Sequence, residues 1–331
     1  MTWRKSLAIL CGLNLLAPGA YAALTPQQVE QEVTTQLAGD STLISGWMTS
    51  NLKYVVPFNS TSGNVVPSQL KIFGFEFGVE GVVSGTQMDV DALHQLPTTL
   101  VNTQSVNMVS RLPMPMVLGQ AKIGLPFGID AGIRVGGIPK IDENNTSDGR
   151  TSSIQNKVIG LDLRKKIIDE GMMKPFGLTL GLNYTHASGS LDLNNTYNSL
   201  TYTDSQGNTA SVNDGMTHEH ADWDTNSVGL QAILDKKILF ITPYIGASVN
   251  RNSGTINNSI TTTGTPTIDG TPTSDVLTAT GSSSADANKW DNRLLAGIEF
   301  TPLPFFRLGI GGEYAGSKNE AGSLSLRFQF R

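Results

Sequence analysis

From about residue 70 onward, apolar side chains recur at every second position, and the segments that carry this period are joined by alternately short and long connections. A period of two marks a β-strand with one apolar face. The spacing predicts strands near 71–84, 115–123, 128–138, 156–168, 174–189, 224–235, 238–251, 290–301, 304–316 and 322–331. "LPFG", "DEGMMK", "DKK" and "TPLP" are brief turns. The connections near 85–114, 139–155, 190–223 and 252–289 are long, and a modest "SKNEAG" comes last. Such sorting puts every short turn at one end of a sheet and every long loop at the other, as in barrels that cross a lipid layer. Closure also removes the sheet edges that hydrocarbon does not tolerate. The expected fold class is all-β: a closed antiparallel transmembrane up-and-down β-barrel of about 10 strands, or 12, with a short helical N-terminal extension.

The strand parity sorts side chains into two sets. If the apolar set faces lipid, the lumen receives Glu76, Glu80, Gln120, Lys122, Asp130, Arg134, Asp162, Arg164, Lys166, Arg293, Glu299, Arg307, Glu313 and Arg327. A barrel of about eight strands is already filled by side chains, so charges of both signs in one slightly wider either pair as a structural interior or line a gated polar path. Neither sign dominates, so no ion selectivity is expected. Glycines on the inward parity, such as Gly78, Gly132 and Gly181, leave room in a tightly curved sheet. The long connections are rich in Asn, Thr, Ser and Asp. "NNSITTTGTPTIDGTPTSD" is nearly low-complexity and is expected to be mobile.

Three segments make up the expected chain: a signal peptide at 1–22, a periplasmic or plug-like extension with a short helix at 23–69, and the barrel at 70–331. Arg4 and Lys5 precede an apolar run too short to span a bilayer, and "AYA" supplies a cleavage pattern. The sole cysteine, Cys11, falls in that run, so no disulfide is expected after cleavage. In the extension, Thr25 reads as a helix cap, Pro26 as the first helical residue and Gly39 as the stop, with Val29, Val33 and Leu37 in one stripe. "LISGWMTSNLKYVVPF" reads as two more short strands or as a segment folded under or into the barrel. A formal charge of −5 argues against a nucleic-acid partner.

The last stretch, "GSLSLRFQFR", puts Leu324, Leu326, Phe328 and Phe330 on one face, and Arg331 follows them. It resembles the C-terminal recognition strand of Gram-negative outer-membrane barrels. "RLPMPMVLGQAKIGLPFGIDAGIRVGGIP" resembles Pro-rich strand and turn segments of uncharacterised families of such barrels. The resemblance implies an outer-membrane location, and an even strand count puts both ends of the barrel sequence, and so the N- and C-termini, in the periplasm. It implies outer-membrane lipids, the barrel-assembly machinery and periplasmic chaperones as partners, with external ligands at the long loops. The function expected is a narrow channel or transporter, or a surface structural or interaction protein.

"YTHASG" resembles the outward His-x-Ser pair of outer-membrane phospholipase A. That resemblance implies His186 as general base and Ser188 as nucleophile, with Asn226 or Asp224 orienting the imidazole in an outer-leaflet acyl hydrolase. The plainer reading is that the strand simply leaves the apolar zone at this pair. "HEHADWD" offers His218 and His220 to a metal or, more plainly, is a solvated loop. No cofactor and no metal are expected.

Overall fold

The computed structural model describes residues 26–63, 67, 70–105, 110–145, 150–170, 175–203, 209–268, 271–272, 276–316 and 319–330. The expected signal peptide and Thr25 lie outside the described residues. A single helix, α1 (Pro26–Thr61), precedes β1 (Phe75–Gln87), a short α2 (Val90–His94) and β2 (Arg111–Leu125). The strands β3 (Ile129–Asn145), β4 (Arg150–Ile168), β5 (Gly177–Thr203), β6 (Thr209–Asp235) and β7 (Ile241–Ile268) follow. After these come β8 (Thr271–Pro272), β9 (Leu277–Asp286), β10 (Trp290–Leu303), β11 (Phe306–Ala315) and β12 (Asn319–Phe330).

The strands β1 to β7 pair in sequence, β7 pairs β10, and β12 pairs β1, which closes a ring of ten antiparallel strands. β9 continues above β10 along the outer half of β7. The expected count of about ten therefore holds. The seam is aromatic: Phe75 stacks on Phe330 with ring centres 4.9 Å apart, and Phe77 on Phe328 at 5.6 Å.

Outward positions are apolar and exposed on every ring strand, among them Val79, Val117, Ile133, Leu161, Leu182, Leu230, Ile245, Leu294, Ile310 and Leu324. Inward neighbours such as Glu76, Arg134 and Arg327 are buried. A closed sheet with an apolar skin and a polar filling is a transmembrane barrel. No helix among the described residues is long and apolar enough to cross a membrane.

The extension departs from expectation. One helix of 36 residues replaces the short helix, Gly39 does not stop it, and of the two readings of residues 43–58 the strands are absent while the segment lies inside the barrel. The residues after Gly39 include β-branched Thr42, Ile44, Thr49, Val55 and Val56, which read locally as strand. Inside a barrel the helix satisfies its backbone by itself, and its apolar faces meet the wall. Trp47, Met48, Leu52, Val55, Val56 and Phe58 pack against Val82, Met114, Met116, Leu118, Val158, Trp223 and Ile256. Pro57 lacks an amide hydrogen and cannot serve the carbonyl of Lys53 one turn back. The backbone amide of Asn288, on the wall, donates to that carbonyl at 2.9 Å.

The long connections also differ from expectation. Segments 190–203, 209–223, 252–268 and 277–286 are strands rather than loops. They stand above the apolar skin as a sheet whose inner face includes Ala210, Val212, Leu277 and Ala279. These pack on Val29, Val33 and Leu37 of α1. The strands are ordered because α1 supplies the apolar partner that their own composition lacks.

The two ends of the barrel sequence meet at the short-turn end, where Phe75 pairs with Phe330. The N-terminal turns of α1 lie at the opposite end, among the hairpin tips. The helix runs lengthwise through the ring, so Pro26 lies at the end opposite to Phe330, and the chain ahead of Pro26 lies outside the described residues.

Candidate functional site

The lumen is the first candidate site, and its walls hold the C-terminal end of α1 by charge. Helix ends expose unpaired carbonyls and carry partial negative charge. Arg134 of β3 donates to the carbonyls of Ser60 at 3.1 Å and Ser62 at 3.2 Å, and to Thr185 Oγ1 at 2.7 Å. Arg293 of β10 donates to the Phe58 carbonyl at 3.3 Å and the Ser62 hydroxyl at 3.2 Å, and also bonds Thr61. Arg293 is itself held by Asp291, through Nε at 2.7 Å, and by Glu313 at 2.7 Å. Glu313 accepts from the backbone amide of Gly63 at 2.5 Å. Gly160 makes space for this clamp: a Cβ there would lie 2.5 Å from Arg134 Nε.

Closer to the short-turn end the remaining charges form chains. Arg327 bridges Glu76 at 3.1 Å and Glu299, and Arg307 also pairs with Glu299. Lys122 approaches Glu76 at 3.8 Å, and Arg164 lies 3.3 Å from Asp162. Asp130 accepts from the Leu70 amide at 3.1 Å, so the segment leading into β1 is tied to the wall. Glu80 and Gln120 are buried on the same inner face. Leu324, Leu326 and Phe330 lie on the outer skin at the seam, and Phe328 is half-buried there.

Among the described residues α1 occupies the lumen between the walls. At the clamp, a void of about 20 Å³ lies between Thr61, Arg134, Asn183, Arg293 and Glu313. That is room for about one water. Ile233, Tyr244 and Leu295 form a buried layer beside it. At the short-turn mouth a polar vestibule of about 560 Å³ opens between Lys166, Thr179, Asp235, Glu299 and Arg307. Lys166 and Asp235 pair across it at 3.4 Å.

The second candidate site lies on the outside. The β5–β6 register sets His186 opposite Asn226 and Ser188 opposite Asp224. His186 Nδ1 is 3.1 Å from Asn226 Oδ1, which also accepts from the Tyr184 hydroxyl at 2.7 Å. An amide oxygen only accepts, so Nδ1 carries the hydrogen in this bond. Asp224 stands 3.8 Å from Nδ1. Among the described residues no hydrogen bond joins Ser188 to His186. His218 and His220 are not in a loop but on β6, at 2.6 Å from Asn194 and Asp192 respectively. No group of three or more potential metal ligands occurs among the described residues.

Parity placed the inward charges, but it missed three residues that position α1. Asp291 shares the parity of Arg293 two residues away, so it was open to the same reading. Asp40 accepts from the amides of Thr99, Leu100 and Val101 at 2.7–2.9 Å and so ties the β1–β2 connection to α1. The indole of Trp47 donates to the Asp89 carbonyl at 2.6 Å. Neither of these two contacts has a local sequence signal.

The fold and the site define a membrane-spanning β-barrel with a helix lodged in its lumen. The chain belongs to DUF6588, a family of unknown function whose model matches residues 72–330. None of the curated proteins matches it in sequence. Among solved structures it is similar to the transport unit of the autotransporter AIDA-I from Escherichia coli. There the identity is 11% and the TM-score 0.35, over 86% of this chain and 99% of that one. The translocator domain of the autotransporter NalP from Neisseria meningitidis matches at 10% identity and a TM-score of 0.33, over 83% and 94%. An outer membrane channel from Pseudomonas putida F1 matches at 10% identity and a TM-score of 0.33, over 81% and 99%.

Proposed function

We propose that this protein is an integral barrel of a Gram-negative outer membrane, plugged by its own residues 26–63. Its work is done at the cell surface by the outer hairpins, as a structural or interaction protein. The observation that carries this reading is the clamp of Arg134 and Arg293 on the last carbonyls of α1. A plug so held, with a void of only about one water's volume at the clamp, supports a lumen that does not conduct. Outer-membrane lipids contact the apolar skin, and the Leu324-to-Phe330 strand is the address read by the barrel-assembly machinery.

Planar-bilayer recording tests the plug. The whole protein is expected to be silent, and a chain lacking 26–63 to conduct steadily. Steady conductance of the whole protein would show a channel instead. Slower migration in gels after boiling reports a closed barrel and checks that each sample is folded.

A second reading is favoured by one observation, the His186–Asn226 hydrogen bond at 3.1 Å. It turns Nε2 away from Asn226, on the outer face at the upper edge of the apolar skin. In an outer-leaflet acyl hydrolase, His186 would take the proton of Ser188 while Asn226 fixes the ring. Phospholipid hydrolysis by purified protein, abolished in Ser188→Ala, is the expected result. Equal hydrolysis in that variant removes Ser188 from the reaction.

A further inference from the structure

Successive residues of α1 and the segment after it meet successive levels of the wall. Val29, Val33 and Leu37 pack with Ala210, Val212, Leu277 and Ala279, at the hairpin tips. Ser45 donates to the carbonyl of Asn258 at 2.8 Å. Thr49 reaches Ser283 at 3.1 Å. The Lys53 carbonyl accepts from Asn288 at 2.9 Å, and that of Phe58 from Arg293 at 3.3 Å. The Leu70 amide bonds Asp130, and Phe73 bonds Gly124, next to the short β2–β3 turn.

The order is monotonic, so the chain descends the whole barrel once before β1 begins. A 36-residue helix is about 54 Å long, against an apolar band of about 25 Å. The first turns of α1 therefore stand well beyond the band, on the long-hairpin side. In barrels of this kind the long connections are external and the short turns periplasmic.

We propose that the barrel delivers its own N-terminal segment to the cell surface. On this reading α1 is a threaded tether, entered from outside, and the chain at Pro26 is displayed among the hairpin tips. The exposed side chains at that end include Gln27, Gln28 and Gln31, with Glu30 and Glu32 partly exposed beside them. A peptide joined ahead of Pro26 would be presented outside the cell while the C-terminal strand stays at the periplasmic rim. The proposal rests on the membrane-barrel reading above, but it adds a sidedness which that reading does not require.

Single-cysteine labelling tests it. Cys11 is the only cysteine in the sequence, so a Cys11→Ser background is thiol-free. Gln27→Cys is placed at the outer end of α1 and Lys237→Cys in the short β6–β7 turn, both at exposed positions. Intact cells are treated with a membrane-impermeant maleimide, then permeabilised and treated again. The expected result is labelling of Gln27→Cys in intact cells and of Lys237→Cys only after permeabilisation. The reverse pattern, or labelling of both sites under the same condition, would overturn the proposal. Heat-modifiable migration of each variant separates this failure from failure of the barrel itself. A second outer site at exposed Gln31→Cys covers the case in which Gln27→Cys does not fold.

Discussion

The guanidinium of Arg293 lies 4.3 Å from the ring centre of Phe58 while its Nη2 donates to the carbonyl of the same residue at 3.3 Å. One wall residue thus reads both the side chain and the backbone of the last helical turn. The contact unites a cation–π attraction with neutralisation of a helix end.

Removing that guanidinium leaves Asp291 and Glu313 buried without their counter-ion. Breaking a buried pair by deleting one partner costs about 3–5 kcal/mol. Arg293→Met is therefore expected to lower the temperature at which the folded, fast-migrating form is lost and to open brief conductance events. Replacing Asp291 and Glu313 by leucine in the same chain is expected to recover most of the thermal loss, because no charge is then left unpaired. It is not expected to restore the silent lumen, since the helix end still lacks its donor. Recovery of both would show that the clamp does not hold the plug.

Asp40 offers a test confined to the outer end. Its carboxylate accepts three backbone amides, and each charge-assisted bond contributes about 1.5–3 kcal/mol. Asp40→Ala is expected to speed hydrogen exchange at Thr99, Leu100 and Val101 by tenfold or more, roughly the effect of losing 1.4 kcal/mol. The β1–β12 seam is expected to keep its protection. Unchanged exchange at the three amides would show that the connection is held by other contacts.

The strand pattern was legible because a membrane barrel writes its two faces at a period of two. Arg134 and Arg293 could be placed inward from their neighbours alone. Their target could not. The helix they hold has β-branched residues and a proline, and it exists because the wall accepts its faces and Asn288 completes the bond that Pro57 cannot. The outer strands were misread for a related reason. Thr261, Thr263 and Thr265 look like linker, and the apolar partners of their sheet, Val29 and Val33, lie over two hundred residues earlier in the chain. Period-two reasoning sees a strand and its own faces, not what packs inside a closed sheet. Shared outward parity put His186 and Asn226 on one face, but their register was not legible while 190–223 read as a loop; it follows from β5 and β6 pairing without a shift there.

Glu219 sets a pH dependence on the outer sheet. It faces inward on β6, well above the apolar skin, and its carboxylate accepts from Asn258 Nδ2 at 2.7 Å. Burial pushes its pKa above the ordinary 4.5, and the Asn258 bond opposes this only in part. The folded state therefore binds this proton more tightly than the unfolded state does. Its contribution is fully present below 4.5 and is lost as pH rises through the raised folded value. Hydrogen exchange in the outer halves of β6 and β7 is expected to quicken as pH rises across that window. Glu219→Gln, which keeps an acceptor for Asn258 and removes the charge, is expected to flatten the profile. An identical slope in the variant would assign the dependence to other groups.

Gly160 tests the clamp by shape rather than by charge. It sits on β4 opposite Arg134 of β3, and a Cβ added there would meet Arg134 Nε at 2.5 Å and Cγ at 2.7 Å. The arginine cannot simply swing away, because its other nitrogens are fixed to Ser60, Ser62 and Thr185. Gly160→Val is therefore expected to push the guanidinium off the helix carbonyls while every charge in the lumen is kept. Forcing a side chain into a filled site costs about 1–3 kcal/mol, so the barrel is expected to fold and still migrate as a heat-modifiable band. Its conductance is expected to resemble that of Arg134→Met, with brief openings from a loosened plug. Gly81→Ala serves as the matched control: nothing lies within 4 Å of a Cβ at Gly81, and the site faces outward. A silent Gly160→Val barrel beside an open Arg134→Met barrel would mean that the charge of Arg134, not its seat on Ser60 and Ser62, keeps the lumen shut.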